Sequence, residues 1–149
     1  MGTIEATITQ LRCESCRFTS ADVRFVGDTD MVTNGLATAS SSKNMEVAVG
    51  RLATDDVGKG FDAAMEDFAS RVSSETGGDF RAVPIVGERG GFKPVGVAFQ
   101  EFRRLYRAPE IIYRCPRCGG EAVVTREMSP AQFEAEGGMI RSFDEVLIL

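Results

Sequence analysis

Residues 12–18 read RCESCRF and residues 114–120 read RCPRCGG, and these two stretches hold all four cysteines of the 149-residue chain. Each is a Cys-x-x-Cys pair, and 98 residues separate Cys16 from Cys115. Each pair also lies between two strand-like runs. A turn that joins two strands and carries cysteines three apart aims two sulfurs and several amides at one point. Two such turns facing each other complete a tetrahedral shell of four sulfurs. In the second turn Pro116 fixes φ and Gly119 permits a positive φ, as a tight turn requires. The first turn departs from this pattern, because Arg17 stands where glycine is usual.

No cysteine is left over, which makes the double pair a strong metal signal even with a long spacer, since loops between strands accept insertions. Zinc is the favoured metal; iron, a redox-active dithiol and ordinary buried cysteines are the alternatives. A redox pair should open a helix after a strand, where the helix N-terminus lowers a thiol pKa. Neither pair does. The motifs also echo one another: Arg12-Cys13 matches Arg114-Cys115, and Arg24 and Arg126 each lie eight residues past a second thiol. Read as geometry, this is a pseudo-twofold pair of turns with arginines near the thiolate charge; read as chance, it is coincidence among 14 arginines.

The paired turns resemble the zinc-ribbon superfamily over about residues 8–26 and 110–126, with nothing of the middle covered. Cys-Pro-x-Cys-Gly is also similar to the metal-binding turn of rubredoxins, and CESCRFTSADV resembles the second knuckle of ZPR-type zinc fingers, which bind protein partners. The resemblance implies one ion held by Cys13, Cys16, Cys115 and Cys118. It carries no function with it, because ribbons serve transcription, translation and large assemblies alike.

Charge and composition narrow the function classes. The net charge is −5, and a tetrathiolate zinc site would add about −2, so the overall field does not gather phosphate backbones. There is no histidine, which removes the commonest general base and the commonest nitrogen ligand together. No Ser–His or Cys–His dyad can form, and four cysteines close a zinc shell that catalysis would need open. No apolar run approaches the roughly 18–20 residues of a membrane span. The start MGTIEATITQ lacks a basic flank and an apolar core, so the expectation is a reducing, cytoplasmic compartment in which paired cysteines bind metal.

Along the chain, residues 3–12 alternate as a half-buried strand, and FTSADVRFVG resumes as another with Val23 and Phe25 on one face. Residues 28–44, DTDMVTNGLATASSSKN, read as a polar loop. MEVAVGRL reads as a strand. From about Gly60 to Glu75, Phe61, Met65, Phe68 and Val72 recur at helical spacing, with Gly77-Gly78 as the stop. FRAVPIVG and FKPVGVAF look like strands around the turn ERGG, with Pro84 and Pro94 pointing to edges. FQEFRRLYR reads as a short helix. EIIYR and EAVVTR flank the second cysteine pair. SPAQFEAEGG carries an N-cap at Ser129, Pro130 at the first helical position, Gln132 to complete a capping box and Gly137 as the stop. EVLIL reads as a final buried strand.

Other motifs are weaker. Residues 86–96 are glycine-rich with Arg89 and Lys93, but carry no phosphate-loop fingerprint and read as a hairpin turn. Asp55-Asp56 and Glu66-Asp67 diverge as adjacent residues do, so neither pair converges on a substrate. Arg103, Arg104 and Arg107 form a small basic face beside Tyr106 and Tyr113; read functionally it is a candidate contact for a protein partner or nucleic acid, and read plainly it is a solvated helix face.

These readings together predict an α+β fold in one domain, residues 1–149. A four-cysteine zinc ribbon is assembled from 1–29 and 109–128, an α/β portion at 30–108 is inserted, and a helix and strand follow at 129–149. The expected function is non-enzymatic: a zinc-bearing adaptor or structural component of a larger assembly such as a virion or multisubunit complex. A nucleic-acid-associated ribbon, disfavoured by charge, and a rubredoxin-like iron carrier are the alternatives.

Overall fold

The computed structural model describes residues 3–25, 35–52, 61–85 and 112–149. Over these residues the fold is mixed α+β, dominated by strands, with two helices. The first cysteine pair lies in the turn between β2 (Ala6–Cys13) and β3 (Thr19–Phe25). The second lies between β8 (Ile112–Arg114) and β9 (Glu121–Met128). In sequence order the others are β1 (Thr3–Ile4), β4 (Leu36–Ser41), β5 (Glu46–Arg51), α1 (Phe61–Thr76), β6 (Phe80–Arg81), β7 (Pro84–Ile85), α2 (Pro130–Ala135), β10 (Met139–Ser142) and β11 (Leu147–Ile148).

A five-stranded sheet runs β3-β2-β9-β8-β7, and its centre is the antiparallel pair β2–β9. That pair places Cys13 opposite Ala122, so both cysteine turns emerge at the same end of the sheet. A four-stranded sheet runs β10-β5-β4-β6. The two sheets trade strands along the sequence: β7, from the middle of the chain, joins the five-stranded sheet, and β10, from near the end, joins the four-stranded one. Pro84 sits in the edge strand β7, where its missing N–H breaks no ladder. FRAVPIVG is thus split, its first half in one sheet and its second half in the other. FKPVGVAF, ERGG and FQEFRRLYR lie outside the described residues.

Helix α1 covers the four-stranded sheet through the apolar stripe expected from its spacing. Met65, Phe68 and Val72 are buried, with Ala64 and Ala69 beside them. Each of the three larger side chains contributes about 1.5–3 kcal/mol by leaving water. The helix ends at Gly77, which takes φ +74 and returns its N–H to Ser73 O. One apolar cluster joins Met65, Phe68, Ala69 and Val72 to Ile8, Ala21 and Val23 of the cysteine-bearing hairpin and to Met128 of β9. A smaller cluster under the cysteine turns holds Leu11, Val83 and Ala122, with Tyr113 against it.

The polar stretch 28–44 is not all loop. Residues 36–41 form β4, and every one of them is buried. Its hydroxyls are satisfied: Thr38 Oγ1 donates to Asp22 Oδ1 (3.1 Å), Ser40 Oγ to Ala21 O, and Ser42 Oγ just beyond to Asp79 Oδ2 (2.6 Å). Small side chains whose polar atoms are paired pack between layers as readily as apolar ones. Residues 28–34 lie outside the described residues.

The C-terminal segment differs in detail from its expectation. Ser129 Oγ accepts the Gln132 N–H (3.1 Å) and Pro130 opens α2, as the motif predicts. The Gln132 side chain, however, donates to Glu136 (3.0 Å). The following residues add β10, parallel to β5, which periodicity did not reveal. EVLIL is only partly a buried strand: Val146 is buried, but β11 has two residues and Leu147 is 52 % exposed. Between β10 and β11 Asp144 locks the segment down, accepting the Arg51 N–H (2.9 Å) and both Arg71 amino groups (3.0 and 2.6 Å). Gly50 makes room for this contact, because a Cβ there would lie 2.5 Å from the Phe68 ring and 2.9 Å from Asp144 Oδ2.

Candidate metal centre

The two cysteine turns are built alike. In the first, the Cys13 N–H donates to Phe18 O (3.0 Å); in the second, the Cys115 N–H donates to Gly120 O (2.7 Å). Each turn then directs amides at its own sulfurs. Ser15 N and Cys16 N point at Cys13 Sγ (3.3 and 3.4 Å). Arg117 N points at Cys115 Sγ and Gly120 N at Cys118 Sγ, both at 3.4 Å. Such amides stabilise thiolates before any metal arrives. The residue after the second cysteine is left-handed in both turns, Gly119 at φ +81 and Arg17 at φ +67. Arg17 therefore adopts the conformation for which glycine is usual, at the steric cost an L side chain carries there.

The turns meet face to face. Cys13 Sγ lies 3.5 Å from Cys118 Sγ, and Cys16 Sγ lies 3.7 Å from Cys115 Sγ. All four sulfurs fall within 4.8 Å of one another, so the group can hold a metal ion. A regular tetrahedron with metal–sulfur bonds of about 2.3 Å has an edge of about 3.8 Å, and the two closest pairs match it. A disulfide needs about 2.05 Å, and all four are free thiols. Cys13 and Cys115 are buried, whereas Cys16 and Cys118 face outward. The donor set and its spacing fit a four-thiolate ion.

The electrostatics favour a cation. The Cys16 amide leads in drawing the Cys13 thiol down to about 6, with burial opposing and the Ser15 amide assisting. At Cys118 the Gly120 amide pulls the same way, yet the hydrogen bonds to Cys13 and Cys16 push its thiol up on balance. Four sulfurs this close cannot all be anionic without a positive ion among them.

The arginines do not sit as the sequence echo suggests. Arg114 turns to helix α1, donating to Glu66 and to Ala82 O (2.9 Å). Arg126 donates to Gln10 and Glu136. Nor is the sheet twofold: its centre pairs the strand before the first turn with the strand after the second, whereas a twofold would pair equivalent strands. The arginine that matters locally is Arg117, which the sequence did not single out. Its guanidinium lies 4.0 Å from the Phe18 ring centre, and its Nε donates to Ser42 O (3.3 Å). It thus bridges the second turn to the first and to the end of β4. An exposed x-position arginine facing an aromatic after the other pair is the one signal that could have found it.

Arg103, Arg104, Arg107 and Tyr106 lie outside the described residues. Tyr113, expected beside them, is half-buried against Leu11, Val83 and Ala122, and burial pushes its hydroxyl up to about 12. No helix among the described residues is long and apolar enough to cross a membrane. Compared with protein families, with curated proteins and with solved structures, the chain matches none.

Proposed function

We propose that this chain is a non-catalytic zinc protein of the ribbon kind, holding one structural zinc through Cys13, Cys16, Cys115 and Cys118. It works by binding protein partners, as an adaptor or a structural component of a larger assembly. The observation that carries the metal reading is the convergence of four thiols, 98 residues apart in sequence, to tetrahedral spacing. Four thiolates saturate zinc, so the ion serves to tie the chain ends and leaves no position for a substrate.

The partner reading draws on chemistry. With a net charge of −5, made more negative by a tetrathiolate ion, the chain repels phosphate at long range. Beside the second turn Val123 and Val124 are 40 % and 47 % exposed on a central strand, apolar surface suited to a protein contact. Arg103, Arg104 and Arg107 have the residue type enriched at interface hot spots.

Elemental analysis of the purified chain, with zinc released by denaturation into a colorimetric assay, should give about one equivalent. Metal near zero sinks the metal reading. Iron with a visible thiolate charge-transfer band turns it into an electron carrier. Co-purifying partners should disappear when the three arginines become Ala while zinc content and folding persist. Sub-micromolar binding to random DNA or RNA at physiological salt would replace the protein-partner reading with a nucleic-acid one.

A further inference from the structure

Asp22, in β3, is 4 % exposed. Its Oδ1 accepts the Thr38 hydroxyl of β4 at 3.1 Å, so one carboxyl joins the five-stranded sheet to the four-stranded one. Directly across from it on β2 stands Thr9. Opposed residues of an antiparallel pair share a face, with Cβ atoms about 4.5–5.5 Å apart. Thr9 is itself buried, and its Oγ1 is the buried side-chain oxygen without a hydrogen-bond partner among the described residues. A buried carboxyl and a buried, unpartnered hydroxyl thus face each other at the junction of the two layers.

The surroundings decide the protonation state. Among the described residues no cation pairs with Asp22. Strand β4 has no titratable side chain along Leu36–Ser41, and β2 has none along Thr7–Leu11. From β9 comes Glu127, which is also opposite Thr9, and from β8 comes Tyr113, whose ionisation feels Asp22, Arg24 and Glu127. Among the described residues the cation of this neighbourhood is Arg24, two residues along β3 and opposite Thr7. Strand β5 offers charge only at its ends, Glu46 bonded to Arg141 and Arg51 beside Asp144. A buried carboxylate with no ion-pair partner among the described residues takes up a proton instead.

We propose that Asp22 is a proton-operated latch between the two sheets: it rests as the neutral acid, donates its proton to Thr9 Oγ1 while accepting Thr38, and destabilises this seam when the proton leaves, because the carboxylate then loses its bond to Thr9 and stays desolvated although Thr38 still donates to it. Desolvation, opposed by the Thr38 hydroxyl and the Val23 amide, pushes the carboxyl from 3.8 up to about 7. The sign follows from that direction. The acid is favoured in the fold, so the latch contributes fully below the ordinary aspartate range. Its contribution falls as pH rises from about 4 to about 7, and is flat above.

The test uses the metal-loaded, full-length protein, with zinc assayed at each pH so that metal loss is not mistaken for the latch. The Asp22 carboxyl carbon should titrate by NMR near neutrality, and hydrogen-exchange protection of the β3 and β4 amides should drop across the same midpoint. Between about pH 5 and pH 8 the denaturation midpoint of the wild type should fall, while that of Asp22→Asn stays flat. Thr9→Val, which removes the acceptor of the proton, should move the Asp22 midpoint down. An Asp22 carbon that titrates in the ordinary carboxylate range, or parallel wild-type and Asp22→Asn curves, overturns the latch. An upward shift in Thr9→Val overturns the role of Thr9. The titration needs no variant, so a failure of Asp22→Asn to fold leaves the proposal decidable.

Discussion

The two ends of the five-stranded sheet are held by different means. At one end β2, β3 and β9 share a large apolar cluster with helix α1 and the four-stranded sheet. At the other, where the cysteine turns emerge, the described core shrinks to Leu11, Val83 and Ala122 with Tyr113. There β9 is exposed from Val123 to Glu127, although it is a central strand. Among the described residues, four thiols stand where that core gives out. A metal site and an apolar core are alternative solutions to one problem, the entropy of bringing distant segments together.

If that contrast is right, breaking the metal end has the largest effect. Cys16→Ser, or zinc removal by a chelator, should cost on the order of 4 kcal/mol, by analogy with a cross-link closing a loop of about 100 residues. Because Ile8, Ala21 and Val23 belong to the same cluster as α1, hydrogen exchange should quicken in the helix too. A helix at Phe61–Thr76 that stays fully protected would show that the two ends are energetically independent. The opposite lesion sharpens the comparison. Met65→Ala removes a fully buried side chain from the apolar end and should cost about 2–5 kcal/mol. It should leave zinc content at one equivalent; loss of zinc would mean that the core positions the thiols.

Smaller effects test the connections. Asp144→Asn keeps a residue that tolerates the left-handed backbone at φ +57 but removes the charge that Arg71 and the Arg51 amide share. The expected cost is about 1 kcal/mol. Arg71 leads in holding the Asp144 carboxyl below the usual range. Its contribution is therefore present above about pH 4 and fades as pH falls through the depressed value, so wild type and variant should converge in acid. A constant difference down to pH 3 would assign the effect to packing. The smallest change is at Arg17, left-handed at φ +67 where the other turn has Gly119. Arg17→Gly should stabilise the zinc-loaded protein by up to about 1 kcal/mol, the relief of strain being partly offset by a freer unfolded chain. Destabilisation would show that the Arg17 side chain makes a contact worth more than the strain.

Much of the metal end was legible because its chemistry is local. Cysteine spacing, Pro116 and Gly119 specify a turn whose amides point at its own sulfurs, whatever the rest of the chain does. The α1 stripe and the Ser129 cap were legible for the same reason: helix periodicity and capping act within a turn or two. What the sequence determined by itself, then, was that two cysteine turns exist and can share an ion, and that a helix with one apolar face packs on strands.

The tertiary structure decided the rest. It made residues 36–41 a buried strand, because Asp22 and the Ala21 carbonyl, distant in sequence, accept its Thr38 and Ser40 hydroxyls. It set β10 beside β5 in a parallel pair, which no short turn announces. It turned Arg114 and Arg126 away from the thiols, toward Glu66, Gln10 and Glu136, and placed Arg117 over Phe18. It also put Asp22 opposite Thr9 at the seam of two sheets. Each of these depends on a partner 10 to 116 residues away. Such pairings are set by which surfaces meet when the layers close, and no local pattern of residues encodes that.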